Sequence, residues 1–341
     1  MFGPKRQLLY SLLLMVLLSS VAHAETETSG SFISLQMEND FFADSGDRYY
    51  THGTQLSLLN KEAPPAFLAK VADWTPFYQQ GNSLNLVQYT LGQKIFTPNN
   101  TEATTVVDGD RPYAGYLYFS ATVLSQIGSS LIFDHSHIDY GNMFEVTLGV
   151  VGPSAMSEET QTGFHDLVGI DSPSGWDNQL EDELAIGLMY SRFWRLVQPV
   201  TDGVEFGVNP HISMSLGNVY TYGAGGVMFR LGNNLRRDLS PPNIRPGFPG
   251  PAYFQTSNEA SWYVYLGFET RLVLRDIFLD GNTFTDSHSV EKELLVGDMQ
   301  FGIVYMLGDV RITFSNMIRT DEFKTQQVST QYGALNLTYQ Y

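Results

Sequence analysis

The chain has 341 residues, a formal net charge of −17, no cysteine and only 16% charged residues. Such an acidic protein is a poor nucleic-acid binder, since displacing counterions from phosphates takes Lys and Arg, and the lack of thiols rules out disulfides and thiolate chemistry. The 31 Gly, 19 Tyr and 22 Phe are high for a soluble domain and suit a barrel with a lipid-facing band and aromatic rims.

At the N-terminus, Lys5 and Arg6 precede an apolar stretch from Leu8 to Val21, and Ala22-His23-Ala24 supplies small residues for cleavage. This is the pattern of a secretory signal peptide over 1–24, too short for a membrane-spanning helix. The chain from Glu25 to Tyr341 is expected to form one domain. Losing Lys5 and Arg6 moves the formal charge from −17 to −19, so an anionic substrate would be helped by a bridging cation.

Beyond that point, period-two alternation recurs throughout. Between Ser261 and Arg275 one face carries Trp262, Val264, Leu266, Phe268, Leu272 and Leu274, and the other carries Tyr263, Tyr265, Glu269 and Arg271. Twelve segments read as strands, at 31–39, 51–60, 83–95, 113–125, 142–152 and 181–196, then 203–217, 219–231, 260–275, 292–307, 309–319 and 331–341. The last ends on an aromatic, Tyr341, as outer-membrane strands do. The fold class expected is all-β, a transmembrane antiparallel barrel of about 12 strands with a short helix in an extracellular loop. The stretch 61–81 reads as an amphipathic periplasmic excursion, and the Pro/Gly/Asn-rich 232–259 is unusually long for a periplasmic connection. If both termini are periplasmic, loops 40–50, 96–112 and 153–180 share the outer rim.

These three loops hold the densest polar clusters. The first is Glu38-Asn39-Asp40 with Asp47 and Tyr49-Tyr50-Thr51-His52-Gly53. Its carboxylate, amide and hydroxyl oxygens suit a hard cation such as calcium, and equally an Asx-rich turn. The second is Asp108-Gly109-Asp110-Arg111, where Arg111 suits either a forked phosphate contact or a salt bridge to Asp108 or Asp110. In the third, Ser157-Glu158-Glu159-Thr160 opens a short helix that carries Phe164 and His165 and closes at Gly169. Asp171, Trp176 and Gln179 follow. A long loop with its own helix usually has a task. By parity His135 and His137 fall on the periplasmic side, His211 lies in a strand, and His288 lies in a loop without an evident partner. His52 remains a minor candidate beside the first cluster.

In order and spacing, Glu38-Asn39-Asp40, Tyr50-Thr51-His52-Gly53, Gly109-Asp110-Arg111, Gly149-Val150-Val151-Gly152-Pro153 and His165 followed by Gly169, Asp171, Trp176 and Gln179 resemble the outer-membrane lipid A deacylases that remove the 3′-O-linked acyl group. The resemblance covers the whole chain after the signal segment. It implies a twelve-stranded barrel with calcium-dependent ester hydrolysis at the outer leaflet. It further implies His165 as general base, Asn39, Asp40 and Thr51 as calcium ligands, and Asp171 as a further ligand or a partner of His165. Arg111, Trp176 and Gln179 are expected to bind substrate, with Trp176 as an amphipathic ring at the membrane interface. Members can place basic residues in the loop that here runs from Thr97 to Asp110 without Lys or Arg, so the phosphate contact falls to Arg111. The expected partner is lipid A in the outer membrane, met by a monomer. The rival readings are a non-enzymatic pore and a barrel phospholipase with a Ser nucleophile, although neither G-x-S-x-G nor a His-x-Ser-Asn-Gly run occurs.

Overall fold

A computed structural model describes residues 30–40, 48–61, 84–132, 136–169, 171–244, 246–247 and 250–341, with single positions at 65, 66 and 70. The signal segment 1–24, nearly all of the 61–81 excursion, Asp47 and His135 lie outside the described residues.

Twelve strands form one closed antiparallel barrel in which each pairs with its chain neighbours and the last closes on the first. In chain order they are β1 (Phe32–Asn39), β2 (Tyr49–Asn60), β3 (Leu84–Thr97), β4 (Ala114–Ile132), β5 (Ser136–Val151), β6 (Glu183–Thr201), β7 (Val204–Gly217), β8 (Tyr220–Gly232), β9 (Ser257–Asp276), β10 (Leu295–Gly308), β11 (Val310–Arg319) and β12 (Thr330–Gln340). Among the described residues, helices α1 (Ser157–Val168) and α2 (Ile277–Asp280) lie outside the barrel strands. The segments read from alternation match these strands one for one, several of which extend by a few residues.

The alternation works because side chains on a strand point to opposite faces, and here one face meets lipid and the other the lumen. On β9, Trp262, Val264, Leu266, Phe268, Leu272 and Leu274 are exposed on the outside, while Tyr263, Tyr265, Glu269 and Arg271 are buried inside. Leu35 and Met37 on β1, Ile312 and Phe314 on β11, and Leu335 and Leu337 on β12 continue the outer band. One rim is closed by tight turns at Asp202–Gly203 and Asp309, and the other carries the connections 40–48, 98–113, 152–182, 277–294 and 320–329. Short turns inside and long loops outside are the usual arrangement of bacterial outer-membrane barrels, so the first three clusters share the extracellular rim.

The long connection between β8 and β9 belongs to the periplasmic side by parity, and its length has a physical reason: it folds back into the lumen as a plug. Inward-facing side chains hold its main chain. Arg311 donates to the Tyr253 and Pro251 carbonyls, Arg230 and Arg195 to those of Asp238 and Arg236, and Arg319 to that of Pro246. Gln88 and Glu38 accept from the amides of Ala252 and Ile244. Within the plug, Asp238 pairs with Arg311 at 2.8 Å and accepts from the Tyr263 hydroxyl at 2.7 Å, and Leu235, Ile244 and Phe254 are buried. A second ionic ladder climbs the wall from His211 to Glu269, Arg271, Asp298, Arg319 and Glu322. His211 thus has a buried carboxylate partner that its place in the sequence did not reveal.

Candidate functional site at the outer wall

The site is built on the lipid-facing side of β1 to β4, where they reach the extracellular rim. Glu38 points inward, accepting from Tyr50 at 2.7 Å, so its neighbour Asn39 points outward. Asn39 Nδ2 donates to the Thr51 carbonyl at 3.0 Å and lies 3.4 Å from His52 Nδ1. A carbonyl only accepts, which fixes the amide with Nδ2 toward β2 and turns Oδ1 away. His52 Nδ1 must then be the acceptor, leaving the ring proton on Nε2 to donate to Thr54 Oγ1 at 2.7 Å.

A β-bulge interrupts the β2–β3 register between Tyr50 and His52, with Tyr50 opposite Phe96 and His52 opposite Ile95. The extra residue is Thr51. With Tyr50 directed inward, strict alternation would send His52 inward too. The bulge instead puts Thr51 and His52 on the same outward face, and the Thr51 hydroxyl bonds that of Thr97 at 2.7 Å. Bulges near functional sites re-aim side chains in this way. Asp40 follows β1 in a buried position, where its Oδ2 accepts from the Arg48 amide at 3.0 Å.

The connection from β5 to β6 folds over the same wall. A 3-10 turn at Pro153–Ala155 leads through Met156, in the left-handed region at φ 56°, into α1. Gln93 on the outward face of β3 donates to the Ala155 carbonyl at 2.7 Å. A Cβ on Gly115 would collide with Ala155 and Ser157, so glycine there lets the loop lie flat on the wall. Along α1, Ser157, Gln161 and His165 are all buried; their i, i+4, i+8 spacing makes them one stripe facing the barrel. Gly169, at φ 75°, ends the helix with its N–H on the His165 carbonyl, a C-cap in which glycine adopts the left-handed conformation without strain.

His165 is 5% exposed. Its Nδ1 lies 2.8 Å from the main-chain oxygen of Asp171; because that oxygen can only accept, Nδ1 carries a proton, and in the neutral ring the lone pair is then on Nε2. The expected contact to Asp171 is therefore made by its backbone, and its own side chain is exposed. The rest of the loop is tied to the β3–β4 connection, with Ser174 donating to the Thr101 carbonyl and Asn178 to that of Thr104.

Of the three expected substrate contacts, Trp176 and Arg111 are corrected by their surroundings. Trp176 is 3% exposed, not an interfacial ring. It packs with Ile95 and Tyr113 and donates from Nε1 to Gln161 at 3.1 Å, forming the small core that orders the loop. Gln179 closes a 3-10 turn onto the Trp176 carbonyl, and its buried Oε1 has no hydrogen-bond partner among the described residues. Arg111 is 1% exposed and sits on the lumen side of the wall, its guanidinium 4.6 Å from the inward-facing Phe96 ring and 3.4 Å from Glu322. Neither expected carboxylate takes that guanidinium, and Asp110 instead accepts from the Arg111 amide. His288 also has a partner, the Asp110 carbonyl at 2.6 Å.

An unbroken chain of contacts therefore joins the first and third clusters. It runs from Asn39 to Thr51 and His52, across the β2–β3 pairing to Ile95, then through Trp176 to Gln161, one turn before His165. The oxygens of Asn39, Asp40 and Thr51 form a donor set that fits a hard divalent cation, although among the described residues no three His, Cys, Asp or Glu side chains cluster as a metal site.

Among solved structures, LpxR from Salmonella typhimurium shares the fold, with a TM-score of 0.68 at 20% identity over 90% of this chain and 99% of its own. The β domain of the Bordetella autotransporter BrkA (9% identity, covering 92% and 98%, TM-score 0.42) and the translocator domain of NalP from Neisseria meningitidis (11%, covering 98% and 97%, TM-score 0.40) are also similar. No curated protein sequence matches significantly. The model of the family described as Outer membrane protein LpxR matches residues 8–341, and the chain belongs to that family of outer-membrane proteins.

Proposed function

We propose that this barrel is a lipid A deacylase, an esterase that hydrolyses the 3′-O-linked acyl group from within the outer leaflet. The observation that carries the reading is that His165 and the Asn39–Thr51 cluster lie on the outer wall at the extracellular rim, where an acyl ester of the outer leaflet is within reach. A lumenal site would demand that the ester leave the bilayer.

The Asp171 carbonyl holds the His165 ring with its proton on Nδ1, so Nε2 is the atom that removes a proton from water. That water attacks the ester carbonyl, the acyl C–O bond breaks, and the same imidazole returns the proton to the leaving alkoxide, giving a free fatty acid and a sugar hydroxyl. Asn39 Oδ1, Asp40 and Thr51 would hold a calcium ion. When bound, that ion supplies Lewis-acid stabilisation of charge developing on the carbonyl oxygen. His52 keeps the Asn39 amide turned so that Oδ1, the ligating atom, faces away from β2. No acyl-enzyme forms in this scheme, so serine-directed phosphonates should leave the rate unchanged.

Mass spectrometry of lipid A from cells expressing wild type, His165→Ala and Asp40→Ala tests the reading. The expected result is loss of one acyl or acyloxyacyl unit with wild type only. Intact lipid A in all three, with correctly folded barrel in the membrane, would overturn it. Release of fatty acid from glycerophospholipid with covalent serine labelling would favour the phospholipase instead.

A further inference from the structure

With Ser157, Gln161 and His165 facing the wall, the flanks of α1 differ in character. Phe164 and Leu167, three residues apart and so on one flank, are 49% and 82% exposed. At 100° per residue, Glu158 falls on the opposite flank, and Glu159 and Asp166 on the side turned away from the wall.

The loop layer shows which flank faces which way. At the edge of the stripe beside Glu158, His165 Nδ1 reaches the Asp171 carbonyl of the overlying loop at 2.8 Å, whereas at the other edge, beside Phe164, Ser157 reaches the Lys94 carbonyl of the wall at 3.4 Å. The Glu158 flank thus faces the extracellular loops, and the Phe164–Leu167 flank faces down the wall. Below α1, which packs on β3 and β4, the outward Phe119 of β4 is exposed and stacks with Tyr89 of β3, with Leu148 of β5 beside it in the lipid-facing band. Phe164 and Leu167 extend that band beyond the strands. An apolar flank opposed by a charged face is the arrangement of a helix lying in an interface.

We propose that α1 lies in the plane of the outer leaflet with Phe164 and Leu167 against lipid acyl chains and Glu159 and Asp166 in water. Phe164 also contacts the imidazole ring, with centroids 6.4 Å apart, so the acyl-covered flank borders His165 directly. The proposal concerns where the helix sits and stands whether or not the ester chemistry does.

Because the chain has no cysteine, single reporters can be placed without background. Leu167→Cys and Asp166→Cys, each labelled with an environment-sensitive fluorophore, are reconstituted as the full barrel in vesicles, with heat-modifiable gel mobility as the folding check. The label at 167 is expected to emit to the blue, to be quenched by lipids brominated on the acyl chains, and to be shielded from aqueous iodide. The label at 166 should show the reverse. Iodide access at both positions overturns the proposal because the helix then stands in water. Quenching by brominated chains at both also overturns it, since the helix then has no aqueous side.

Discussion

The two sides of the barrel wall use polar residues in opposite ways. Inside, Arg230, Arg271, Arg311 and Arg319 each bond carboxylates or plug carbonyls, and the ionic groups serve to close the lumen. Outside, the polar groups at the candidate site, Asn39, Thr51, His52 and His165 with Asp40, are few, and Asn39, Thr51, His52 and His165 are each bonded to a neighbour. The lumen carries far more charge, yet that charge is spent on structure. In the proposed reading chemistry falls to the sparse side, where the His165 imidazole and the Asn39 and Thr51 oxygens lie on the outer wall.

The largest expected effect separates the two sides cleanly. His165→Ala should lower deacylation by about 10²–10⁴-fold, the usual contribution of a general base, while leaving melting temperature and ion conductance unchanged. Purified enzyme assayed on lipid A in detergent, beside a planar-bilayer recording, checks both parts. Retained activity would move the base elsewhere and dissolve the contrast.

The converse substitution is Asp238→Ala. It strips Arg311 of its 2.8 Å carboxylate partner in a fully buried setting, a loss that costs about 3–5 kcal/mol when one member of a buried pair is removed. The plug should loosen, stability to denaturant should fall, and the lumen should begin to conduct. Unaltered conductance and stability would mean that the plug is held by packing of Phe254 and Leu235 rather than by its ions.

How much of this arrangement was legible in the sequence follows from the physics of each feature. Alternation is a property of every strand residue, so twelve strands and the sharing of one rim by three loops could be read directly. The plug could not, because its partners are inward-facing arginines from strands far away in the chain. The bulge at Thr51 adds one residue without changing composition, and so leaves no sequence signal. Arg111 and Trp176 went astray for a common reason: residue type suggested a phosphate and an interface, whereas neighbouring Phe96, Glu322, Ile95 and Tyr113 bury both. Two buried donors of Arg111, Nε and Nη2, lack partners among the described residues, yet they face the wrong side of the wall for outer-leaflet lipid.

A smaller effect is expected at His52, which orients Asn39 rather than touching substrate. Replacing it with Ala removes one weak contact to the amide, worth about 0.5–1.5 kcal/mol for a hydrogen bond. Calcium affinity, measured by titration calorimetry on the folded barrel, should weaken about two- to tenfold on that basis, with the rate at saturating calcium retained. His52→Asn, which offers an acceptor oxygen on a shorter side chain, should recover part of the affinity. Equal binding by wild type and both variants would make His52 a bystander, and no binding by wild type would remove the cation from the scheme.

The smallest effect sharpens the comparison most, because resemblance and geometry disagree about it. If the carboxylate of Asp171 ligates the metal or pairs with His165, Asp171→Ala should cost activity on the scale of a lost ligand. The geometry gives the contact to the main-chain oxygen at 2.8 Å and leaves the side chain exposed. An exposed substitution away from such contacts usually stays within about 0.5 kcal/mol, so the variant should keep its rate and its calcium requirement within about twofold. Asp171→Pro tests the backbone directly: position 171 keeps its carbonyl but its φ is locked, and any shift of that oxygen would release the imidazole and reduce the rate. A severe loss in the alanine variant with no further loss in the proline variant would return the role to the carboxylate.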